Sequence, residues 1–119
     1  HTICYDLRYP KLYRALAKKG SQIIVVPSAF TRTTGKAHWH SLIKARAIEN
    51  GVFILAPNQW GVNNEKRVTY GHTLIVDPWG ETLAEAEDGE MIIAAELDLN
   101  RVRECQNAIH VLDNDRNFD

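Results

Sequence analysis

Four short apolar runs set the rhythm of this chain: Ile23 to Pro27, Val52 to Pro57, Thr73 to Val76, and Met91 to Leu97. Continuous runs of this length suit strands covered on both faces. Between them the period changes. Tyr9, Leu12, Tyr13, Leu16 and Ala17 fall at i, i+3, i+4, i+7 and i+8, one apolar helical stripe. Pro10 suits the first position of that helix, where a missing N–H costs nothing. Lys18 and Lys19 stand in its last turn, and Gly20 stops it. A second helix is predicted from about His38 to Asn50, with Trp39, Leu42 and Ile43 as its stripe and Ala45 and Ile48 widening it. Ahead of the first helix, Thr2 and Ile3 are β-formers that lead into Cys4.

A strand, a helix and a second apolar strand make a βαβ unit, so the strands ending at Cys4 and Pro27 are expected to be parallel. Cys4 and the hydroxyl-rich loop Ser28 to Lys36 then share the carboxyl edge of the sheet, where open α/β sheets bind ligands. A second edge loop is expected from Asn58 through Arg67. Beyond it the connections tighten. Asp77-Pro78-Trp79-Gly80 fits a type I turn, a strand is predicted near Thr82 to Ala86, and Asp88-Gly89 turns into the run Met91 to Leu97. This part therefore reads as antiparallel. Asp98 can cap a short helix through Val102 to Cys105. Residues 107–119 read as a polar, extended tail, a clasp for a partner subunit.

Composition narrows the functions. The 119 residues are 45% hydrophobic and 24% charged, with a net charge of -1, so nothing marks a surface for nucleic acid or for an anionic membrane. The apolar runs are too short to span a bilayer, and no stretch reads as a signal peptide. Two cysteines, Cys4 and Cys105, are too few for a disulfide framework, which makes a reducing cytoplasm the default expectation. The chain opens at His1, already inside a predicted strand, and is expected to be a piece of something longer.

Candidate chemistry centres on Cys4, at the mouth of a strand–turn–helix corner. A buried structural thiol is the bland alternative, and a nucleophile needs a base. His72 could in principle serve as one, although nothing local supports the pairing and a surface or hydrogen-bonded role suits it better. His38 and His40, two apart on a helix, point to different faces and do not chelate together. Arg46 points into the apolar side of its helix with Glu49 one turn on, a semi-buried ion pair that fixes packing. Cys105 reads as packing. No glycine pattern makes a phosphate loop, and no metal or cofactor is expected.

Cys4-Tyr5-Asp6-Leu7-Arg8-Tyr9-Pro10 resembles the nucleophile segment of the nitrilase superfamily of carbon–nitrogen hydrolases. Pro27-Ser28-Ala29-Phe30-Thr31, Thr34-Gly35, Ala37-His38-Trp39, Arg46 to Asn50, Tyr70-Gly71-His72 and Val76 to Gly80 continue the similarity in family order. The amidase branch is the most similar. The resemblance implies an α/β fold, namely the C-terminal half of an αββα sandwich with a mixed sheet and helices on one face, as a single partial domain over residues 1–119. It also implies a homo-oligomer.

The same resemblance implies a reaction. Cys4 attacks the carbon of a small amide, and the backbone N–H of Tyr5 helps hold the oxyanion. Arg8, Thr34 and Phe30 are then the substrate-side candidates, with Arg8 gripping a carboxylate; a structural pair between Arg8 and Asp6 is the competing role. The family's general-base Glu and its Lys lie upstream of the Cys, so a missing N-terminal half is the expected partner. A nitrilase or carbamoylase with another substrate, and a non-catalytic interaction module, are the alternative readings. His40 stands where the branch usually has Glu, and His110 where it often has Pro.

Overall fold

The computed structural model describes residues 1–64 and 66–118. A mixed four-stranded sheet in the order β1-β2-β5-β6 forms its centre, built from β1 (Ile23–Val25), β2 (Phe53–Ala56), β5 (Leu74–Val76) and β6 (Thr82–Glu85). The strands β1 and β2 run parallel, with Ile24 beside Ile54. The later pairs are antiparallel, with Ile54 beside Val76 and Ile75 beside Ala84. Helices α1 (Pro10–Lys18) and α3 (His40–Asn50) pack against each other and on one face of the sheet. The core lies between them: Ile24, Val26, Ile54, Ala56, Leu74 and Val76 from the sheet meet Tyr13, Ala17, Trp39, Ile43 and Ala47 from the helical side.

The predicted first strand is only half made. Thr2 N–H donates to Val25 O at 3.0 Å and Cys4 N–H to Pro27 O at 2.9 Å, which is parallel spacing. The return bond of such a ladder would come from the N–H of residue 27, and proline has none. The segment therefore lies beside β1 without becoming a regular strand.

Three other expectations are corrected. Residues 58–67 are not simply a loop: a separate antiparallel hairpin joins β3 (Trp60–Asn64) to β4 (Arg67–Tyr70). The run Met91 to Leu97 is apolar but not a strand, and Ile92 is 98% exposed. Its composition suits a buried strand, yet β6 ends the ladder order and the run pairs with no strand among the described residues. The tail is not extended from residue 107. Helix α4 (Asn100–Ile109) runs past Cys105 to a left-handed His110, and residues 111–114 turn back. Arg14 then donates to the Val111 carbonyl at 2.9 Å and Lys18 to Asp115 at 2.9 Å, tying the tail to α1.

The second helix begins early. A short helical turn α2 (Arg32–Thr34), capped by the Thr31 hydroxyl, runs through a wide turn at Gly35–Trp39 into α3. That widening, common near functional sites, lets Trp39 bury its ring while its indole N–H donates to His72 O at 2.7 Å. Arg46 behaves as expected: it donates to Glu49 at 2.9 Å and also to the Leu7 carbonyl at 3.0 Å.

Candidate active site

Cys4 opens a tight helical turn, Cys4–Arg8, that leads into α1. Its φ is 40°, left-handed backbone that a non-glycine residue adopts only where its surroundings enforce it. They do so from both sides. The Cys4 N–H is held by Pro27 O, while Asp6 closes the turn, its carboxylate accepting the Ile3 N–H at 2.9 Å and its own N–H reaching Ile3 O at 2.9 Å. The corner leaves Cys4 half-buried, whereas Cys105 is buried.

Two cavities meet at Cys4. One, of about 210 Å³, is lined by Cys4, Tyr5, Arg8, Phe30, Thr31 and Thr34. The other, of about 480 Å³, lies toward the sheet edge among Ile3, Pro27, Ser28, Pro57, Asn58 and Thr73. The fold thus brings Cys4, Tyr5, Arg8, Phe30 and Thr34 to a single depression.

Each has a definite setting. The Tyr5 N–H has no hydrogen-bond acceptor among the described residues. Arg8 does not pair with Asp6, and among the described residues no carboxylate lies within ion-pair reach of it. Its guanidinium sits 5.8 Å from the Tyr5 ring centre and 5.4 Å from that of Phe30, with Nη2 3.3 Å from His38 Nδ1. Phe30 is buried against Trp39, with ring centres 4.9 Å apart. The Thr34 hydroxyl meets the Thr31 hydroxyl at 2.9 Å, inside the cap of α2.

Asn58, read from the sequence only as part of an edge loop, holds this wall in place. Its side-chain oxygen accepts the Phe30 N–H at 3.0 Å and its amide donates to Gly71 O at 2.7 Å. A lone Asn after a proline carried no signal of that role.

Among the described residues no base is hydrogen-bonded to the Cys4 thiol, which is free and half-buried. His72 turns both ring nitrogens toward carboxylates, Nδ1 at 3.0 Å from Glu85 and Nε2 at 3.8 Å from Asp88. It lines neither cavity at Cys4, so the Cys–His reading finds no support in the geometry. A strained cysteine beside a backbone N–H and an arginine that meets no carboxylate among the described residues can form a covalent adduct with a carbonyl compound that carries an anionic group.

Comparison with known proteins agrees with the similarity read from the motifs. The chain is 46% identical over 105 residues to a deaminated glutathione amidase of Synechocystis, covering 88% of this chain and 39% of that protein. It is 43% identical over 114 residues to the human protein of that name, covering 96% and 35%. The crystal structure of Saccharomyces cerevisiae Nit3, a member of branch 10 of the nitrilase superfamily, superposes with a TM-score of 0.85 at 40% identity, covering 90% of this chain and 40% of that one. The chain therefore spans about two fifths or less of each of these three proteins. The family model for carbon-nitrogen hydrolases matches residues 1–107, and with that span the chain belongs to the carbon-nitrogen hydrolase family, within the nitrilase superfamily.

Proposed function

We propose that this chain carries the nucleophile and one substrate wall of an amidase that hydrolyses a small carboxylate-bearing amide to its acid and ammonia. The observation that carries the reading is Cys4 at its left-handed corner, opening into a cavity that Arg8 also lines without a carboxylate partner among the described residues. The relatives named deaminated glutathione amidase support the substrate class.

In this reading the Cys4 thiolate attacks the amide carbon, and the oxygen, now negative, is met by the Tyr5 N–H. The C–N bond breaks as the nitrogen takes a proton and leaves as ammonia. Water then attacks the acyl-thioester, releasing the carboxylic acid and restoring the thiol. Arg8 holds the substrate carboxylate through its planar fork, Phe30 stacks behind it, and Thr34 lines the floor.

The proton acceptor for Cys4 and a cationic partner for the oxyanion come from outside these 119 residues. Two facts support that assignment: no base reaches Cys4 Sγ among the described residues, and the relatives are more than twice as long. The exposed Ile3, Val62 and Ile92 suit association with further polypeptide, either that missing part or another copy.

Activity tests the proposal directly. The isolated chain should release no ammonia from α-keto acid amides, and joining it to the upstream segment should give turnover that Cys4→Ala and Cys4→Ser remove. Unchanged turnover in those variants would exclude Cys4 as the nucleophile. Arg8→Leu in the joined protein should raise KM at least about tenfold for carboxylate-bearing amides and leave uncharged amides nearly unaffected, in line with the loss of one charged bond. Equal losses on both substrates would remove Arg8 from the carboxylate role.

A further inference from the structure

Away from Cys4, three elements bring three metal-type donors together. His40 begins α3, His72 immediately precedes β5 by two residues, and Glu85 ends β6. Glu85 Oε1 is 2.7 Å from His40 Nε2 and 3.0 Å from His72 Nδ1, and the three donor atoms all lie within 4.8 Å of one another. None of the three lines either cavity at Cys4.

We propose that His40, His72 and Glu85 bind one divalent ion of the zinc type. Two imidazoles and a carboxylate are a common donor set for that ion. Donors about 2.1 Å from a tetrahedral centre stand about 3.4 Å apart, so from 2.7 and 3.0 Å the two histidine–carboxylate separations open by about 0.7 and 0.4 Å, and the His40–His72 separation, at most 4.8 Å, adjusts to match. The side chains are only about one-third exposed, at 35%, 27% and 35%, which leaves room for a water as the remaining ligand.

The surroundings favour this use. His72 holds a left-handed φ of 56° directly after Gly71 at 70°, which aims its ring at Glu85. The Tyr70 ring stacks on it at 4.3 Å. On its far side His72 Nε2 faces the exposed Asp88 carboxylate at 3.8 Å, beyond hydrogen-bond reach but placed behind the ligand.

Without the ion, each histidine donates an N–H to Glu85. On binding, the imidazoles present lone pairs at His40 Nε2 and His72 Nδ1, and their protons reside on the opposite ring nitrogens. The ion replaces two hydrogen bonds by three bonds that pin α3 to the β5–β6 edge.

The test is titration of the 119-residue chain, carrying Cys4→Ser and Cys105→Ser to remove competing thiols, with Zn2+ by calorimetry and with Co2+ by visible absorption. One equivalent should bind, with the intense bands of tetrahedral cobalt and a raised melting temperature. His40→Gln and Glu85→Gln should each weaken Zn2+ at least about 100-fold, and Asp88→Asn about tenfold. Nitrogen NMR of the unsubstituted histidines should show zinc on His40 Nε2 and His72 Nδ1, a readout that does not depend on any histidine variant folding. Absence of saturable one-to-one binding overturns the proposal. So does binding unchanged by Glu85→Gln, or imidazole signals that do not move.

Discussion

Cys4 hangs its backbone N–H on the carbonyl of Pro27 at 2.9 Å. The same proline denies the ladder its return bond, so the chain can leave the sheet within one residue and turn. That pair of effects places a thiol at the rim, at φ 40°, instead of inside a strand. The proline matters as much to the site as the cysteine does.

The thiols should therefore react unequally. Cys105 is buried, and burial pushes its thiol up, away from the thiolate form. Iodoacetamide should label Cys4 at least about tenfold faster than Cys105 in the folded chain. Peptide mapping after short exposure measures this. Equal labelling would mean that the rim position gives Cys4 no access.

Gly35 should tolerate no side chain. A Cβ there would lie 2.3 Å from the Tyr70 ring, although the backbone at φ -62° is ordinary helix. Glycine to alanine in a helix ordinarily stabilises. Here Gly35→Ala should cost about 2 kcal/mol by forced repacking, read as a lower urea midpoint.

The two partners of the buried ion pair should differ in weight. Arg46 is 6% exposed and also bonds the Leu7 carbonyl that precedes Arg8. Its side-chain partner Glu49 is 35% exposed. Arg46→Ala should cost about 3 kcal/mol and loosen the turn behind Cys4. Glu49→Gln should cost less than about 1 kcal/mol. Chemical denaturation of both variants separates the two outcomes.

Acid should reveal Glu85. Hydrogen bonds from His40 and His72 outweigh burial and hold its carboxyl below the usual 4.5. A group depressed in the folded state stabilises fully above its unfolded value, and that contribution is lost as pH falls through the folded one. Stability should therefore decline below about pH 4.5 more steeply in the native chain than in Glu85→Gln. Parallel slopes in melting curves would show that the carboxylate carries no such linkage.

The sequence alone determined the strand runs at Ile23 and Val52, the two main helices and the Arg46–Glu49 bond, because each rests on local periodicity or on neighbours one helical turn apart; that β1 and β2 lie side by side in parallel came from the structure. It also placed Cys4 at a corner, since Pro10 and the apolar run to Pro27 bracket it. It failed where pairing is decided at a distance. Met91 to Leu97 has the composition of a strand and no ladder to join, whereas Trp60–Asn64 looks like loop and finds Arg67–Tyr70 opposite. Only the tertiary structure decided that Arg8 turns to His38 instead of Asp6, that Asn58 reaches across to Phe30, and that His40 meets Glu85 from 45 positions away. Those contacts depend on where the sheet and helices set their ends, and no spacing along the chain encodes that distance.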